Sequence, residues 1–307
     1  MNYKLSLLLA ILSVTLYYFL SSPSSLSGEK LTEHLNNKVV LICGASSGIG
    51  EELAYQLAQH GTKLVLVARS QDKLDNVRLE VIKRGAAEEN VLVISFDFSD
   101  VSRTKEVVDK TVEKFGGLDY LVSNHANLAS GPILSIPELQ DPDTIETIFR
   151  TNLFSHIQLA LHALPHLEKR KGHMFFTSSI LGEIPLYITS IYSSTKHAMN
   201  GFFYSLQQEL LARGSPVSLT IGSFGLIETK AVMEIMSEGG GPFYYWTVGS
   251  VEDCARVMME AYVTRPYTST FTWQTGLVYR SLWYFPWTGF YHQEFIRKVK
   301  LYLQESN

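Results

Sequence analysis

A glycine-rich turn between a buried strand and a helix is the feature that most restricts how this chain can fold. The apolar run at residues 38–43 has the length and β-branched content of a buried parallel strand. It leads directly into Gly-Ala-Ser-Ser-Gly-Ile-Gly at residues 44–50, and residues 51–58 have helical spacing. Glycines let the backbone approach a pyrophosphate, and a helix N-terminus presents unpaired N–H groups to it. A simple tight turn between strand and helix is the alternative. The residues of the predicted phosphate-binding turn are Gly44, Ser46, Ser47, Gly48, Ile49 and Gly50.

Apolar strands recur between helical stretches along the rest of the chain. They lie at residues 63–68, 91–96, 118–123, 173–178 and 217–222. This alternation predicts an α/β fold with a doubly wound parallel sheet of Rossmann type, in a single domain with an N-terminal apolar segment and an aromatic C-terminal extension. The predicted parts are a signal-anchor or signal peptide at 1–22, a linker at 23–36, the α/β domain at 37–268 and the extension at 269–307.

Charge and cysteine content argue against several classes of function. A formal net charge of −4 without a basic cluster gives no support for nucleic-acid binding. The two cysteines do not make a disulfide framework. We predict that Cys43, in the first strand, and Cys254, in a helical segment, are core residues. Neither stands at the spacing of a metal site, so we expect no metal.

The end of the second predicted strand indicates which dinucleotide the chain prefers. An NAD-binding fold usually has an Asp or Glu here, whose carboxylate binds the ribose 2′-hydroxyl. This chain instead has Arg69 followed by Ser70. A guanidinium pairs with a 2′-phosphate, and a serine hydroxyl can add a hydrogen bond. The pattern predicts NADP(H), and the alternative is a solvated surface arginine.

Tyr192, Lys196 and Ser179 form the candidate catalytic group. If residues 192–212 are helical, Tyr192 and Lys196 share a face because they are four residues apart. The pKa of a free tyrosine is about 10. A cation about 4 Å away, at an effective dielectric near 20, favours the phenolate by up to roughly 4 kcal/mol, or about three pKa units. We therefore predict that Tyr192 is a general acid/base and that Ser179 holds the substrate oxygen.

Over residues 36–265 the sequence resembles the short-chain dehydrogenase/reductase family, because several motifs follow one another in that family's order. Asp97 ends the third strand, where the family has an Asp near the adenine. Asn124 and His125 follow the fourth strand, and Asn152 falls at the family's structural and catalytic Asn. Phe224 stands where the family's next motif begins with Pro. Outside the glycine turn, the resemblance assigns to the cofactor Arg69, Ser70, Asp97, Asn124, His125, Tyr192, Lys196, Leu226, Ile227 and Thr229.

The resemblance also implies a mechanism. The cofactor gives a hydride to a ketone carbon while Tyr192 gives a proton to its oxygen, and Ser179 stabilises that oxygen as negative charge grows. Lys196 lowers the pKa of Tyr192 and binds the nicotinamide ribose. Asn152 holds a water that links Lys196 to bulk solvent. The implied catalytic residues are thus Asn152, Ser179, Tyr192 and Lys196.

Within the family, the sequence is similar to the 11-beta-hydroxysteroid dehydrogenase branch. The similarity lies in the N-terminal apolar segment and in residues 119–122, 124–125, 201–203 and 225–229. It implies an NADP(H)-dependent enzyme that interconverts a hydroxyl and a ketone on a small apolar ring substrate, with a steroid as the first choice. Ser47 and Leu186 depart from that branch, and Leu186 leaves the substrate open. The implied substrate-binding residues are Ser179, Leu181, Leu186 and Tyr192.

Two other functions fit the same residues. The first is a carbonyl reductase or dehydrogenase for a retinoid, a lipid ketone or a xenobiotic. The second is a non-catalytic NADP-binding relative, although the retention of all four catalytic residues argues against it.

The N-terminal segment predicts the location. Residues 5–20 are almost wholly apolar and follow Lys4. Their number is near the lower limit of about 17–25 residues for a helix that spans a membrane. Together with the resemblance, this predicts an anchor in the endoplasmic reticulum membrane, with the catalytic domain in the lumen because Lys4 favours a cytosolic N-terminus. A cleaved signal peptide and secretion are the alternative.

Two segments near the C-terminus are rich in aromatic residues. Residues 238–242 form a glycine-rich hinge before four aromatics at 243–246, which predicts a lid over a flat apolar ligand. Residues 270–291 contain three of the four tryptophans. Such a segment is suited to a membrane surface, to the second subunit of a homodimer or to its own domain.

Overall fold

The computed structural model describes residues 26–129, 131, 133–186, 189–237 and 248–271 of the 307-residue chain. The helices of this part are α1 (Gly28–Leu35), α2 (Gly48–Ala58), α3 (Gln71–Lys83), α4 (Thr104–Phe115), α5 (Pro142–Phe149), α6 (Ser155–Arg170), α7 (Ser190–Ala212), α8 (Lys230–Ser237) and α9 (Val251–Thr264). Its strands are β1 (Val39–Cys43), β2 (Lys63–Ala68), β3 (Val91–Ser95), β4 (Tyr120–Ser123), β5 (His173–Thr177), β6 (Ser218–Phe224) and β7 (Thr268–Phe271).

All seven strands form one parallel sheet in the order β3-β2-β1-β4-β5-β6-β7. The chain builds the sheet outward from β1 in one direction and then from β4 in the other. The crevice between β1 and β4 is therefore the topological switch point, where doubly wound sheets bind their ligands. The predicted fold class is confirmed.

Helices cover both faces of the sheet, so the strands are apolar on both sides. In β1, Val40 and Ile42 belong to one core cluster, and Val39, Leu41 and Cys43 belong to the other. The first cluster packs under α1, α2, α3 and α9, and the second under α4, α6 and α7. The two cysteines are buried and free, as predicted for core residues.

Two structural details differ from the predicted boundaries. The segment predicted as a linker contains α1, which Ser27 caps by accepting a hydrogen bond from the Lys30 N–H. Leu31 and Leu35, four residues apart on one face, are buried against the first core cluster. At the other end, β7 continues to Phe271, past the predicted boundary at 268, because its backbone pairs with β6.

Several predicted segments lie outside the described residues and stay predictions. They are the apolar segment at 1–22, the lid at 238–246 and the aromatic extension from 272 onward. Of the helices in the described part, none has both the length and the apolar character needed to cross a membrane.

Candidate active site

The three glycines of the turn between β1 and α2 lie where side chains do not fit. Gly44 has φ +86°, and a Cβ there would lie 2.8 Å from the backbone nitrogen of His125. A Cβ on Gly50 would lie 2.2 Å from the Gly44 carbonyl oxygen. Gly48 has φ +58°, and its Cβ would meet the Thr229 methyl at 2.9 Å. The turn is thus a cradle with an exposed backbone, placed at the N-terminus of α2, and it fits a diphosphate.

The other residues of the turn divide between the core and the surface. Ile49 is partly buried and packs against the first core cluster. Ser47 is exposed at the N-cap of α2, and its hydroxyl makes no capping hydrogen bond. Ser46 is half-buried. Both serines of the turn are therefore at least partly accessible to solvent.

Arg69, Ser70 and Asp97 lie together at the carboxyl ends of β2 and β3. The Arg69 carbonyl accepts a hydrogen bond from Ser95 Oγ at 2.9 Å, which joins the two strand ends. Ser70 caps α3, and Arg69 is exposed. Among the described residues no carboxylate lies within salt-bridge distance of the Arg69 guanidinium. The end of β2 thus offers an exposed guanidinium at the position where an NAD-binding strand usually has a carboxylate.

Asn124 and His125 continue from β4 into the crevice. The Asn124 N–H donates to the Cys43 carbonyl at 3.0 Å, so the segment lies beside the glycine turn. The His125 ring stacks between Phe98, at 3.7 Å, and His156, at 4.0 Å between ring centroids. Burial, with a smaller effect of the Lys196 charge, lowers the pKa of His125 well below 6.5. The His125 ring is therefore an uncharged side chain that lines the crevice.

The segment after β6 reaches the same crevice. Leu226 accepts a hydrogen bond from the Gly249 N–H at 2.9 Å, and Glu228 donates to the Gly249 carbonyl at 3.0 Å. These bonds fix the backbone around the buried Ile227. The next residue but one, Thr229, is the one that contacts Gly48. The structure thus brings all the predicted cofactor residues to one edge of the sheet.

Tyr192 and Ser179 meet above that edge. Ser179 follows β5 and caps the short 3-10 turn Ile180–Gly182, where its Oγ accepts from the Leu181 N–H at 3.1 Å. Tyr192 lies in the first turn of α7. Burial raises the pKa of Tyr192 to about 12, and the hydrogen bond between its phenol and the Ser179 hydroxyl opposes that rise. Two hydroxyl groups therefore converge on one point.

Lys196 is almost fully buried at 1% exposure. Its ammonium donates to the Thr177 carbonyl at 2.8 Å and lies 5.6 Å from the centroid of the Tyr192 ring. Burial lowers the pKa of Lys196 to about 7. The expected lowering of the Tyr192 pKa by Lys196 does not occur in the protein alone, because burial of the phenol dominates and the ammonium is directed at a carbonyl.

Asn152 lies in the π-helical segment Arg150–Phe154 between α5 and α6. Its Oδ1 accepts from the Asn127 N–H at 2.6 Å, and its Nδ2 donates to the Asn127 carbonyl at 2.7 Å. The same Nδ2 lies 3.4 Å from Thr195 Oγ1 on α7. Asn152 thus joins the loop after β4 to the helix that carries Tyr192 and Lys196. A π-bulge of this kind often marks a functional site.

The predicted substrate residues Leu181 and Leu186 are both partly buried and follow Ser179 on the segment that leads to α7. The Leu186 carbonyl accepts from Thr189 Oγ1 at 2.8 Å, which fixes the entry to α7. No group of three or more His, Cys, Asp or Glu side chains that could hold a metal ion occurs in the described part of the chain.

Six residues that are not among those predicted from the sequence lie around the candidate catalytic group. They are Asn127, Thr177, Thr195, His156, Glu183 and Asn200. Thr177, at the end of β5, acts through its carbonyl, which no sequence pattern reveals. For Asn200 the sequence does contain an indication, because the residue lies four positions after Lys196 and therefore on the same face of α7.

The chain is similar in sequence to known proteins. Residues 38–239 match the sequence model of the family described as short chain dehydrogenase. A Hydroxysteroid 11-beta-dehydrogenase 1-like protein of Gallus gallus is 40% identical over 202 residues, covering 66% of this chain and 68% of that protein. The protein of the same name in Danio rerio is 38% identical, covering 79% and 81%. In Arabidopsis thaliana, 11-beta-hydroxysteroid dehydrogenase-like 2 is 36% identical, covering 76% and 75%.

Solved structures share the fold. A short-chain dehydrogenase/reductase of unknown function from Caenorhabditis elegans, with cofactor, has a TM-score of 0.69 and 24% identity, covering 80% of this chain and 97% of that one. An alcohol dehydrogenase from the archaeon Thermococcus sibiricus, complexed with 5-hydroxy-NADP, has a TM-score of 0.62 and 21% identity, covering 77% and 95%.

Proposed function

The chain belongs to the short-chain dehydrogenase family, and we propose that it is an NADP(H)-dependent oxidoreductase that interconverts a hydroxyl group and a ketone on an apolar ring substrate. The observation that carries the proposal is that Ser179, at the carboxyl end of β5, lies close enough to Tyr192 to oppose the rise in the pKa of that phenol, while the Lys196 ammonium lies 5.6 Å from the centroid of the same ring. A steroid is the first candidate substrate.

The residues of the crevice fit a dinucleotide. The cradle of Gly44, Gly48 and Gly50, which a single Cβ would obstruct, would hold the diphosphate at the N-terminus of α2. Arg69, exposed at the end of β2, would pair with a 2′-phosphate. One of the structures with the same fold was determined with 5-hydroxy-NADP, which is in keeping with this choice. When bound, NADPH supplies the hydride.

Tyr192 holds and moves the proton in this proposal. With a pKa near 12 in the protein alone, its phenol is protonated at neutral pH and is ready to donate from Oη to a ketone oxygen. The Ser179 hydroxyl, already hydrogen-bonded to that phenol, turns to the same oxygen and stabilises its growing negative charge. In the oxidative direction the phenol must lose a proton, so any group that lowers its pKa speeds that direction.

Lys196 and Asn152 support this proton transfer. The buried Lys196 ammonium, with a pKa near 7, gains or loses its own proton close to neutral pH. It would hold the nicotinamide ribose while it keeps its hydrogen bond to the Thr177 carbonyl. Asn152 fixes the backbone of Asn127 on one side and approaches Thr195 on the other. Asn152 therefore fixes the position of the loop after β4 relative to α7.

Two observations support a steroid-like substrate. The relatives from Gallus gallus and Danio rerio carry hydroxysteroid 11-beta-dehydrogenase in their names. In addition, the segment between Ser179 and Tyr192 offers the apolar side chains of Leu181 and Leu186, both partly exposed. Apolar walls with few polar groups suit a flat ring compound whose one carbonyl faces the two hydroxyls.

The test is turnover by the full chain in detergent with NADPH or NADH. The substrate panel contains 11-oxo, 17-oxo and 3-oxo steroids together with a retinal and simple lipid and aromatic ketones. We expect ketone reduction with NADPH, and a fall of at least about 1,000-fold in kcat for Tyr192→Phe with NADPH binding retained, since general-acid catalysis and its electrostatic support are both lost.

Tyr267→Phe, at an exposed tyrosine next to β7, is the matched control and should keep wild-type turnover. Turnover of a retinal or lipid ketone alone would retain the reaction and reject the steroid. NADPH binding without turnover of any carbonyl would reject the enzymatic function and favour the non-catalytic relative.

The cofactor choice has its own test. Arg69→Asp should lower the affinity for NADPH by roughly 10- to 100-fold while NADH is affected little, because a hydrogen bond between charged groups contributes about 1.5–3 kcal/mol. Arg213→Asp, at an exposed arginine that ends α7, makes the same charge change away from the crevice. Equal loss of both cofactors in Arg69→Asp would contradict the assignment.

We also propose that residues 5–20 anchor the protein in the endoplasmic reticulum membrane with the catalytic domain in the lumen. The support is the apolar run after Lys4. Protease treatment of intact microsomes, with and without detergent, tests it. Protection that detergent removes, together with retention in the membrane after alkaline washing, is the expected result. Release by alkaline washing would favour the cleaved, secreted form.

A further inference from the structure

Asn200 bridges two points of the backbone turn that carries Ser179. Its Oδ1 accepts a hydrogen bond from Ser178 Oγ at 2.5 Å. Its Nδ2 donates to the Gly182 carbonyl at 3.1 Å and to Glu183 Oε1 at 2.8 Å. All polar atoms of the Asn200 side chain are therefore used, in a residue that is only 3% exposed.

The two bridged points lie on either side of Ser179. Ser178 precedes it directly, and the Gly182 N–H donates to the Ser179 carbonyl at 2.8 Å. The Leu181 N–H, inside the same turn, donates to Ser179 Oγ at 3.1 Å. The position of the Ser179 hydroxyl thus depends on how this turn is held, and Asn200 holds both of its ends.

The turn is pressed closely onto α7. A Cβ on Gly182 would lie 2.8 Å from Asn200 Nδ2 and 2.9 Å from the Lys196 carbonyl oxygen. The helix at this contact also carries Tyr192, eight residues or about 12 Å before Asn200 at 1.5 Å per residue. Since one rigid helix carries both Tyr192 and the clamp, the clamp sets Ser179 relative to the Tyr192 phenol.

Glu183 fixes the orientation of the Asn200 amide. Its carboxylate accepts from Asn200 Nδ2 and also from Tyr204 Oη at 3.1 Å. A carboxylate only accepts, so the amide must present its NH₂ group to Glu183 and its oxygen to Ser178. Burial raises the pKa of Glu183, and the hydrogen bond from Tyr204 and the nearby His197 oppose that rise.

We propose that Asn200 and Glu183 are positioning residues that hold the Ser179 hydroxyl in place for the reaction, acting through the turn 178–182. The proposal rests on the function proposed above, because Ser179 is the group they position. They touch neither substrate nor cofactor. Their effect is expected in kcat, since the position of the oxyanion donor matters most in the transition state, and little in the KM for NADPH.

Asn200→Asp tests the clamp because it changes a single group. An aspartate keeps an acceptor for Ser178 but faces the Gly182 carbonyl and the Glu183 carboxylate without a donor. We expect kcat at about pH 8 to fall roughly 10- to 100-fold, because these two buried acceptors lose their hydrogen-bond donor. Two adjacent carboxylates share a proton as the pH falls, so the ratio of variant to wild-type kcat should rise toward about pH 5.5.

Asn200→Asp combined with Glu183→Gln supplies the missing donor from the other side. The glutamine NH₂ group, placed where Glu183 Oε1 lies, can donate to the new aspartate, although Tyr204 Oη, which donates to the same oxygen in the wild type, then loses that acceptor. The double variant should therefore recover at least about tenfold of the lost kcat at about pH 8, which corresponds to one hydrogen bond. Ser205→Asp, on the exposed face of α7, adds the same charge outside the clamp and should keep the wild-type pH profile.

The outcomes separate this proposal from the proposed function. If the wild type reduces a carbonyl and Asn200→Asp keeps kcat within threefold at every pH, the positioning role is overturned while the function stands. A loss of kcat that neither acid nor Glu183→Gln restores, accompanied by a lower melting temperature, also overturns it, since general misfolding then explains the loss. If the wild type reduces no carbonyl, the proposed function fails and the role of the clamp fails with it.

Discussion

Replacing the buried Lys196 with methionine should change how the stability of the protein depends on pH. The lysine is 1% exposed, and its ammonium donates to a single backbone carbonyl and approaches the Met199 sulfur at 3.7 Å. Methionine has a similar shape and no charge. Lys196→Met therefore removes the titrating group from a buried position while it keeps most of the packing.

The magnitude follows from the pKa of Lys196, which is about 7 in the folded chain against its usual 10.5. Between these values the unfolded chain binds a proton at this amine that the folded chain does not bind. The free energy of unfolding therefore rises with pH across this window. From about pH 7.5 to about pH 9.5 the rise is roughly 2–3 kcal/mol for the wild type, and it is absent in Lys196→Met.

The assay is urea denaturation of the full chain followed by circular dichroism at a series of pH values in this window. The quantity of interest is the difference between the wild type and Lys196→Met, in which the other titrating groups cancel. Lys230→Met, whose side chain is 90% exposed, gives the reference for the loss of a surface charge. A difference that stays constant within about 0.5 kcal/mol from pH 7.5 to 9.5 would refute the reasoning.

Three further predictions follow from the site. Gly50→Ala, whose Cβ would lie 2.2 Å from the Gly44 carbonyl oxygen, should cost roughly 1–3 kcal/mol and weaken NADPH binding measured by nucleotide fluorescence, whereas Gly201→Ala, in open space, should not. Asn152→Ala leaves the backbone N–H and carbonyl of Asn127 without their partner, so it should lower the free energy of unfolding by about 1 kcal/mol. It should also lower kcat, and an unchanged kcat would contradict the proposed role of Asn152. Burial holds the pKa of His156 well below 6.5, so its contribution to stability is lost as pH falls below 6.5. Between pH 6.5 and about 5, the free energy of unfolding of His156→Phe should therefore fall less than that of the wild type, and an equal fall of both in urea denaturation would contradict the prediction.

The local chemistry of the catalytic group was accessible from the sequence because it depends on spacing. Tyr192 and Lys196 are four residues apart on one helix, and the glycine turn directly follows a strand. These relations hold in any structure that keeps the local elements. The expectation that Lys196 lowers the pKa of Tyr192 differs from the structure, because burial of the phenol and the direction of the ammonium depend on the packed surroundings.

The π-helical segment at Asn152 shows the same limit. The sequence indicates a functional asparagine, but it does not indicate the extra residue per turn that lets its amide bond both backbone groups of Asn127. These hydrogen bonds join the π-helical segment to the loop after β4, which lies beside it only once the sheet and the helices are packed together.

The sequence by itself determined the fold class and the glycine cradle and indicated the candidate catalytic side chains, because each depends on residue type and short-range spacing. Only the tertiary structure decided which groups hold those side chains. Ser178, Asn200 and Glu183 are far apart along the chain or carry no motif, and they meet because Gly182 lets the turn after β5 press onto α7. Hydrogen bonds between separate elements, and the burial that shifts the pKa of Lys196 and Tyr192, exist only once those elements are packed together.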